Sequence, residues 1–433
     1  MSVLLFVVGI VVMVIGLAIS IALHEIGHLV PAKLFGVRVG QYMIGMGSTI
    51  WSFTRGETEY GIKALPIGGF ISMAGMYPAT ADQRELAGAA SERRQRLAAT
   101  LVQDAQAANA ESLDGVDESR TFSSKPVWQR IIIMLGGPFM NLVLATVIFG
   151  VLLTGIGQEQ ATTTVAAVSQ CVLPADSEAT ECADTDQASP ALAAGIEPGD
   201  VLVSLDGTVV SDFAEASKII QANAEKTIPV VVERDGEQLT LTLTPMANTV
   251  TTDGVTTTTG FAGITAQVVR EHQPITTAFT TTGENVDAVI DVVIHLPERV
   301  WNTAHDLFTG ADRSADGPMS IIGVGRLAGD VAAADAPVLD RIAVILSLLA
   351  SLNVSLFVFN LVPLLPLDGG HIVIALWDGL KRLFAKITGR PRPAPADATK
   401  LVPVTLVVVV LFIGMSAILF AADLFNPVKL IGG

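Results

Sequence analysis

Charge is what this chain is short of. Only 16% of its 433 residues are Asp, Glu, Lys or Arg, while 50% are hydrophobic. That balance excludes an ordinary water-soluble domain and suits a membrane protein. Basic residues are the scarcer sign, 26 against 42 acids. The resulting net charge of −16 leaves no positive face of the kind nucleic acid needs, so nucleic acid is excluded as a partner. Cysteine is nearly absent. Cys171 and Cys182 are the only two and have no histidine beside them, which excludes a thiolate zinc site. A structural disulfide between them is the expected use, in an oxidising compartment.

Where charge is missing altogether is more informative. Val3–Leu23 has none, and at 1.5 Å per residue it is about 30 Å long, the depth of a bilayer core. It has no basic n-region, and no small-x-small cleavage site precedes His24, so a retained span is expected and not a removed leader. Ile131–Ile156, Ile342–Leu365 and Leu401–Ala421 are three more apolar runs of sufficient length. Lys and Arg gather between the first two runs (Arg84 to Arg130) and between the last two (Lys381 to Lys400). The positive-inside rule places both stretches in the cytoplasm, with the termini and the segment Gly157–Arg341 outside.

At the foot of the first run stands His24-Glu25-Ile26-Gly27-His28. Ionisable groups are costly in lipid, so a functional site is the default. Residues i and i+4 share a helix face, so both histidines can aim at one metal, with Glu25 one position round as a base. Chance would produce H-E-x-x-H in on the order of one chain in a few hundred. His272, His295 and His305 lie in the outside segment and cannot complete the set. Catalytic zinc usually takes three protein ligands. The candidate third is Asp368, at the cytoplasmic end of the third run in Asn360-Leu361-Val362-Pro363-Leu364-Leu365-Pro366-Leu367-Asp368-Gly369. Pro363 and Pro366 would unwind that helix end. Taken alone, Asp368 reads as an ordinary interfacial acid.

Gln41–Phe53 and Glu59–Met73, rich in aromatic and branched residues and broken by glycines, read as β-hairpins. They offer either an edge for an extended peptide or plain packing against helix ends. Asp82–Glu118 has few large apolar residues and no assignable chemistry. Thr162–Pro245 reads as a soluble domain, with strands at Thr164–Val168, Val201–Leu205, Pro229–Arg234 and Leu239–Thr244 and turns at Asp206-Gly207 and Asp235-Gly236. Ser189-Pro190-Ala191 followed by Ala194-Gly195-Ile196-Glu197-Pro198-Gly199-Asp200-Val201-Leu202 resembles the PDZ family in its bacterial protease-associated form.

Together these motifs resemble the bacterial intramembrane site-2 proteases, of the regulator of sigma-E protease type. The likeness rests on HExxH in a first span, N-x-x-P-x-x-x-L-D-G in a third and a PDZ strip between spans two and three. Pro66-Ile67-Gly68-Gly69-Phe70 and Gly317-Pro318 resemble further segments of that family. The resemblance implies a zinc-dependent endopeptidase that cuts transmembrane segments, with Zn2+ on His24, His28 and Asp368 and Glu25 as the general base. It further implies contact with substrate at Gly68, Gly69, Phe70 and Asn360. For Asn360 an interhelical hydrogen bond is an equal alternative to substrate contact, and Asn141 has the same two uses with interhelical bonding the stronger. The implied partners are a single-span anti-sigma factor, an upstream site-1 protease acting on the same substrate, and the lipid bilayer. The implied location is a bacterial cell membrane, with the active site towards the cytoplasm and the PDZ domain outside. Two other classes carry less of the pattern, a zinc transporter and a membrane-tethered PDZ scaffold without protease activity.

The expected fold is a polytopic α-helical membrane protein with four transmembrane helices, a membrane-associated β-hairpin element and one extracytoplasmic α+β PDZ domain. Its parts are a first transmembrane helix with HExxH (1–36), the β-element (37–77), a cytoplasmic loop (78–130) and a second transmembrane helix (131–157). The PDZ domain (158–266) and extracytoplasmic linker helices (267–341) follow. A third transmembrane helix with the LDG motif (342–380), a cytoplasmic loop (381–400) and a fourth helix with tail (401–433) complete the chain.

Overall fold

The computed structural model of the chain describes residues 2–76, 116–172, 182, 187–252, 255–311, 313, 317–391, 393, 396 and 401–426. The stretch Asp82–Glu118 lies outside them except for its last three residues. The chain divides into two compact units, residues 1–156 with 274–433, and residues 157–273.

The first unit opens with α1, Ser2–Leu34. It runs well past the charge-free run, so His24, Glu25 and His28 sit within one continuous helix. Strands β1 (Val39–Arg55) and β2 (Thr58–Met73) follow as one antiparallel pair. Both strands fold back on themselves. Tyr42 pairs with Ile71 on one side and Tyr60 on the other, and Thr54 pairs with Glu59, so the two strands make a sheet four segments wide. Val39, Tyr42 and Met73 are buried against Leu29, Ala32 and Ile133, anchoring the sheet on the helices. Helix α2, Val127–Gly150, continues through a wider π turn over Val151–Ile156.

The second unit begins at β3 (Gln158–Val168). Then come α3 (Pro190–Ala193), β4 (Val201–Leu205), β5 (Thr208–Val209), α4 (Phe213–Ala222), β6 (Ile228–Arg234) and β7 (Glu237–Leu243). The hairpin β8–β9 (Met246–Thr252, Val255–Phe261) and β10 (Ile264–Glu271) complete it. The main sheet runs β10-β3-β4-β6-β7, with β5 beside β4. Its core is Leu202, Leu205, Val230, Val232 and Leu243, covered by Ala216 and Ile220 of α4. Both Asp-Gly turns have positive φ at their two residues, 50° and 75° at Asp206-Gly207 and 52° and 84° at Asp235-Gly236. That is the twist-matched geometry of a two-residue hairpin. Cys171 and Cys182 are joined by a disulfide. The expected end of this domain at 266 is too early, because β10 pairs along β3 as far as Glu271 opposite Gln158.

Asp200 is 1% exposed. It accepts from Arg234 Nε at 2.7 Å and from the Glu197 N–H at 2.9 Å. Burial alone would raise its pKa, but these donors outweigh burial and hold it below the usual carboxylate range. A depressed folded pKa contributes stability above the unfolded value of about 4 and loses it as pH falls further. Asp200→Asn is therefore expected to destabilise this unit by about 1–3 kcal/mol at pH 7. It should also flatten the acid dependence below about pH 4, as read by amide hydrogen exchange in β4 and β6. An unchanged acid dependence would locate the sensitivity elsewhere.

The chain then returns to the first unit with α5 (Ile275–Ile294), α6 (Leu296–Thr309) and α7 (Ile321–Ala333). These were expected as linkers, yet they pack into the helical assembly. Ala278 of α5 is buried with Ala145, Phe149, Ala350 and Val354. A Cβ on Gly9 of α1 would overlap the Ala328 carbonyl of α7, which brings the two backbones into contact. Helix α8, Val338–Asn360, is followed by α9, Asp368–Ile387, and α10, Val402–Phe425. Here the expectation of one third helix carrying the LDG motif over 342–380 is corrected. Pro363 and Pro366 lack the N–H that a continuing helix requires, so α8 stops at Asn360 and Asp368 opens a separate helix. The expected cytoplasmic loop at 381–400 likewise begins as the last two turns of α9. Among the described residues, four helices are long and apolar enough to cross a membrane, at Val3–Leu34, Val127–Ile156, Val338–Asn360 and Val404–Phe425.

Candidate metal centre

The centre depends on how closely α1 and α2 approach. Gly27 and Gly136 face each other so tightly that a Cβ on either would overlap the other's carbonyl oxygen. Only two glycines allow this backbone-to-backbone contact. It brings the next residue of α2, Gly137, onto the imidazoles of α1. A Cβ there would overlap His28 Nε2 and lie 2.7 Å from His24 Nε2. Space is therefore kept free in front of both nitrogens.

Each imidazole is oriented from α2. Pro138 removes one bond of the helical ladder, and the nearby Ile133 carbonyl accepts the His28 Nδ1–H at 2.7 Å. This fixes the His28 proton on Nδ1 and leaves the Nε2 lone pair for a ligand. His24 Nδ1 lies 3.0 Å from the side-chain amide of Asn141. Asn141 is fully buried, and its oxygen is otherwise unpaired. The two ends of an amide are alike in shape. With the oxygen turned to the ring, His24 Nδ1–H donates to it, the buried oxygen is satisfied, and Nε2 again presents a lone pair.

Asp368 comes from the other side. Glycines at 369 and 370 let the Leu361–Leu367 segment fold over the first turn of α9, where Cβ atoms would strike the backbone of Leu361, Val362, Leu364 and Leu365. Further down α9, the buried Asp378 carboxylate ties the helix to α2. It accepts from Arg130 at 2.9 Å, from Lys381 at 3.0 Å and from the Ala396 N–H at 2.6 Å. Burial would raise the pKa of Asp378, but those donors prevail and lower it.

The result is a triangle of acceptors. His24 Nε2 and His28 Nε2 are 3.2 Å apart, and Asp368 Oδ2 is 3.4 Å and 3.3 Å from them. A tetrahedral zinc with ligands at its usual distances would separate them by about 3.3 Å. Two imidazole lone pairs and a carboxylate oxygen converging without a donor repel one another unless a cation lies among them. The residues therefore fit zinc, and among the described residues this is the one cluster of three His, Cys, Asp or Glu side chains so arranged. His371 is buried, which pulls its pKa down to about 4, and it is not among the three.

Glu25 is 7% exposed and faces β2. A Cβ on Gly69 would lie 3.0 Å from Glu25 Cγ and 3.2 Å from its Oε1. Burial and this carboxylate push the neighbouring Tyr42 phenol up to about 12, and it donates to the Ala22 carbonyl at 2.8 Å. Gly68 adjoins Gly69 on the same strand, and the Phe70 ring lies 5.1 Å from the Lys63 ammonium. Asn360 is half-buried as the last residue of α8. The sequence carried no side-chain signal for the contributions of Gly137 and the Ile133 carbonyl. The nearest clue was Gly136-Gly137-Pro138 near the N-terminal end of the second apolar run.

The family model of peptidase family M50 matches residues 12–409. The chain is 31% identical over 440 residues to the zinc metalloprotease Rip1 of Mycobacterium tuberculosis, covering 98% of this chain and 99% of the relative. It is 29% identical over 444 residues to Rip1 of Mycolicibacterium smegmatis, with the same coverage. It is also 28% identical to the metalloprotease MmpA of Caulobacter vibrioides, over 87% of this chain and 88% of the relative.

Proposed function

We propose, from the premise that this chain belongs to peptidase family M50 and is a zinc metalloendopeptidase, that it cuts peptide bonds inside the membrane-spanning segments of other proteins. The observation that carries this reading is the triangle of His24, His28 and Asp368. Two of its corners lie on an apolar helix long enough to cross a bilayer, and the third lies eight residues beyond the end of another.

In this reading His24, His28 and Asp368 hold the zinc. Bound there, zinc acidifies water and polarises a carbonyl. The Glu25 carboxylate takes the proton of the attacking water and returns it to the departing amine nitrogen. Ile133 and Asn141 keep the imidazoles aimed by holding their Nδ1 protons. A helical substrate has its carbonyls engaged in its own ladder, so it must be drawn out before attack. Gly69 and Phe70 lie on a segment of β2 paired only with the start of β1, which leaves an edge beside Glu25 where an extended strand adds by backbone hydrogen bonds. Asn360 supplies an amide donor at the end of α8.

The finer assignments follow the same logic. The unit Gly157–Gln273 serves as a PDZ domain on the outer side of a bacterial cell membrane, and the centre opens towards the cytoplasm, where the basic segments lie. The substrate is a single-span protein of the anti-sigma type, already shortened outside by a first protease.

The test uses the full-length zinc-loaded protein in lipid vesicles with single-span substrates, and mass spectrometry of the products. New termini are expected within the apolar span, and chelation of zinc should abolish them. Cuts confined to exposed loops would overturn the intramembrane reading.

A further inference from the structure

Helix α9 has its polarity reversed. Ala375, Asp378 and Ala385 are buried against the protein. Leu376, Trp377, Leu380, Leu383, Phe384 and Ile387 are 52–74% exposed. At about 100° per residue these six share an arc of about 120° directly opposite the buried face. A helix bordering water shows the opposite arrangement, and an apolar stripe of this length is rarely left in solvent.

Three observations indicate what covers it. First, α9 is held at the membrane, starting eight residues after one apolar span ends at Asn360 and stopping before another begins at Val404. Second, Lys386 borders the stripe on one side at helical spacing, and Arg390 follows just past the helix end as another exposed cation. Third, residues 381–400 carry six Lys or Arg against the single acid Asp397, in a chain whose net charge is −16. A second copy of the chain fits poorly, because two-fold pairing through this face would bring its own cations together.

We propose that the outward face of α9 is seated in the adjoining leaflet as a binding surface for acidic phospholipids. The six apolar side chains enter the acyl region. Lys386 and Arg390, both exposed, reach the phosphate groups, while Lys381 stays paired with Asp378. Trp377 sits where aromatic rings favour the headgroup boundary. Because α9 begins at Asp368, the surface also ties the helix carrying that carboxylate to the leaflet. The inference rests on the spanning helices and not on the proteolytic reading.

The experiment uses the full-length protein in nanodiscs. Trp51, Trp128 and Trp301 are changed to Phe, so that Trp377 alone fluoresces. Trace brominated phosphatidylcholine or brominated phosphatidylglycerol is then added to a phosphatidylcholine bilayer. Both are expected to quench Trp377. The glycerol lipid should act at several-fold lower mole fraction, since each cation near an anionic surface is worth about fivefold in affinity. Lys386→Gln with Arg390→Gln should remove that preference. Native mass spectrometry of the unaltered protein gives a second readout, retained phosphatidylglycerol that the double variant loses. No quenching by either lipid would show that protein or water covers the face. Equal quenching, with no retained acidic lipid, would overturn the headgroup assignment.

Discussion

Glu25→Gln is expected to lower peptide hydrolysis by at least about a hundredfold, the low end for a positioned general base, while zinc content stays at the level of the unaltered protein. The substitution keeps the shape of the side chain and its place beside Gly69. It removes the one property the chemistry needs, a carboxylate that accepts a proton and gives it up again. The three converging acceptors His24 Nε2, His28 Nε2 and Asp368 Oδ2 remain, so the metal has no reason to leave. His24→Ala and Asp368→Ala form the contrasting pair, since each deletes a corner of the triangle and should lower zinc content itself. Zinc is read by elemental analysis of the purified protein, and hydrolysis by the appearance of a new product end. Hydrolysis by Glu25→Gln within about tenfold of the parent would remove Glu25 from the role of base.

Two parts of the centre could be read from residue types, and two could not. His24 and His28 were legible because helical spacing alone puts positions four apart on one face, and an uninterrupted helix was certain over so long an apolar run. Asp368 was legible only by way of topology. The same carboxylate on the other side of the membrane would have been an unremarkable interfacial acid. The prolines at 363 and 366 signalled an unwound helix end, and what escaped was that a separate helix begins at Asp368. The apolar run reads straight through Leu361–Leu365, and only the two prolines force α8 to end and α9 to start. The end of helix α9 was read as part of a loop because its cations lie close together between two apolar runs, the mark of a segment outside the bilayer. Asn141 had two open uses, interhelical bonding and substrate contact. Its amide lies 3.0 Å from His24 Nδ1, a placement that depends on how closely α1 and α2 cross. That crossing depends in turn on Gly27 and Gly136, residues with no chemistry to notice.

Gly137→Ala tests the part of the centre that consists of an absence. Its added methyl would overlap His28 Nε2 and lie 2.7 Å from His24 Nε2, inside van der Waals contact with both nitrogens. The side chains cannot simply yield. His28 is held by the Ile133 carbonyl and His24 by Asn141, and the helices cannot separate without giving up the Gly27–Gly136 contact. One imidazole must therefore leave the triangle, or the methyl must take the space that a cation needs. Either outcome costs more than loosening a supporting hydrogen bond, which is typically worth 10- to 100-fold in metal affinity. Zinc affinity is thus expected to fall by at least about a hundredfold, with hydrolysis falling in parallel. Gly155→Ala, further along the same span, is the control, because a Cβ there meets nothing within 4 Å. It should retain zinc, helical content and membrane insertion. Membrane insertion and helical content should also be unchanged in Gly137→Ala, since the methyl favours the helix it joins. A Gly137→Ala protein that binds zinc with parental affinity would mean that the ion lies elsewhere than between His24, His28 and Asp368.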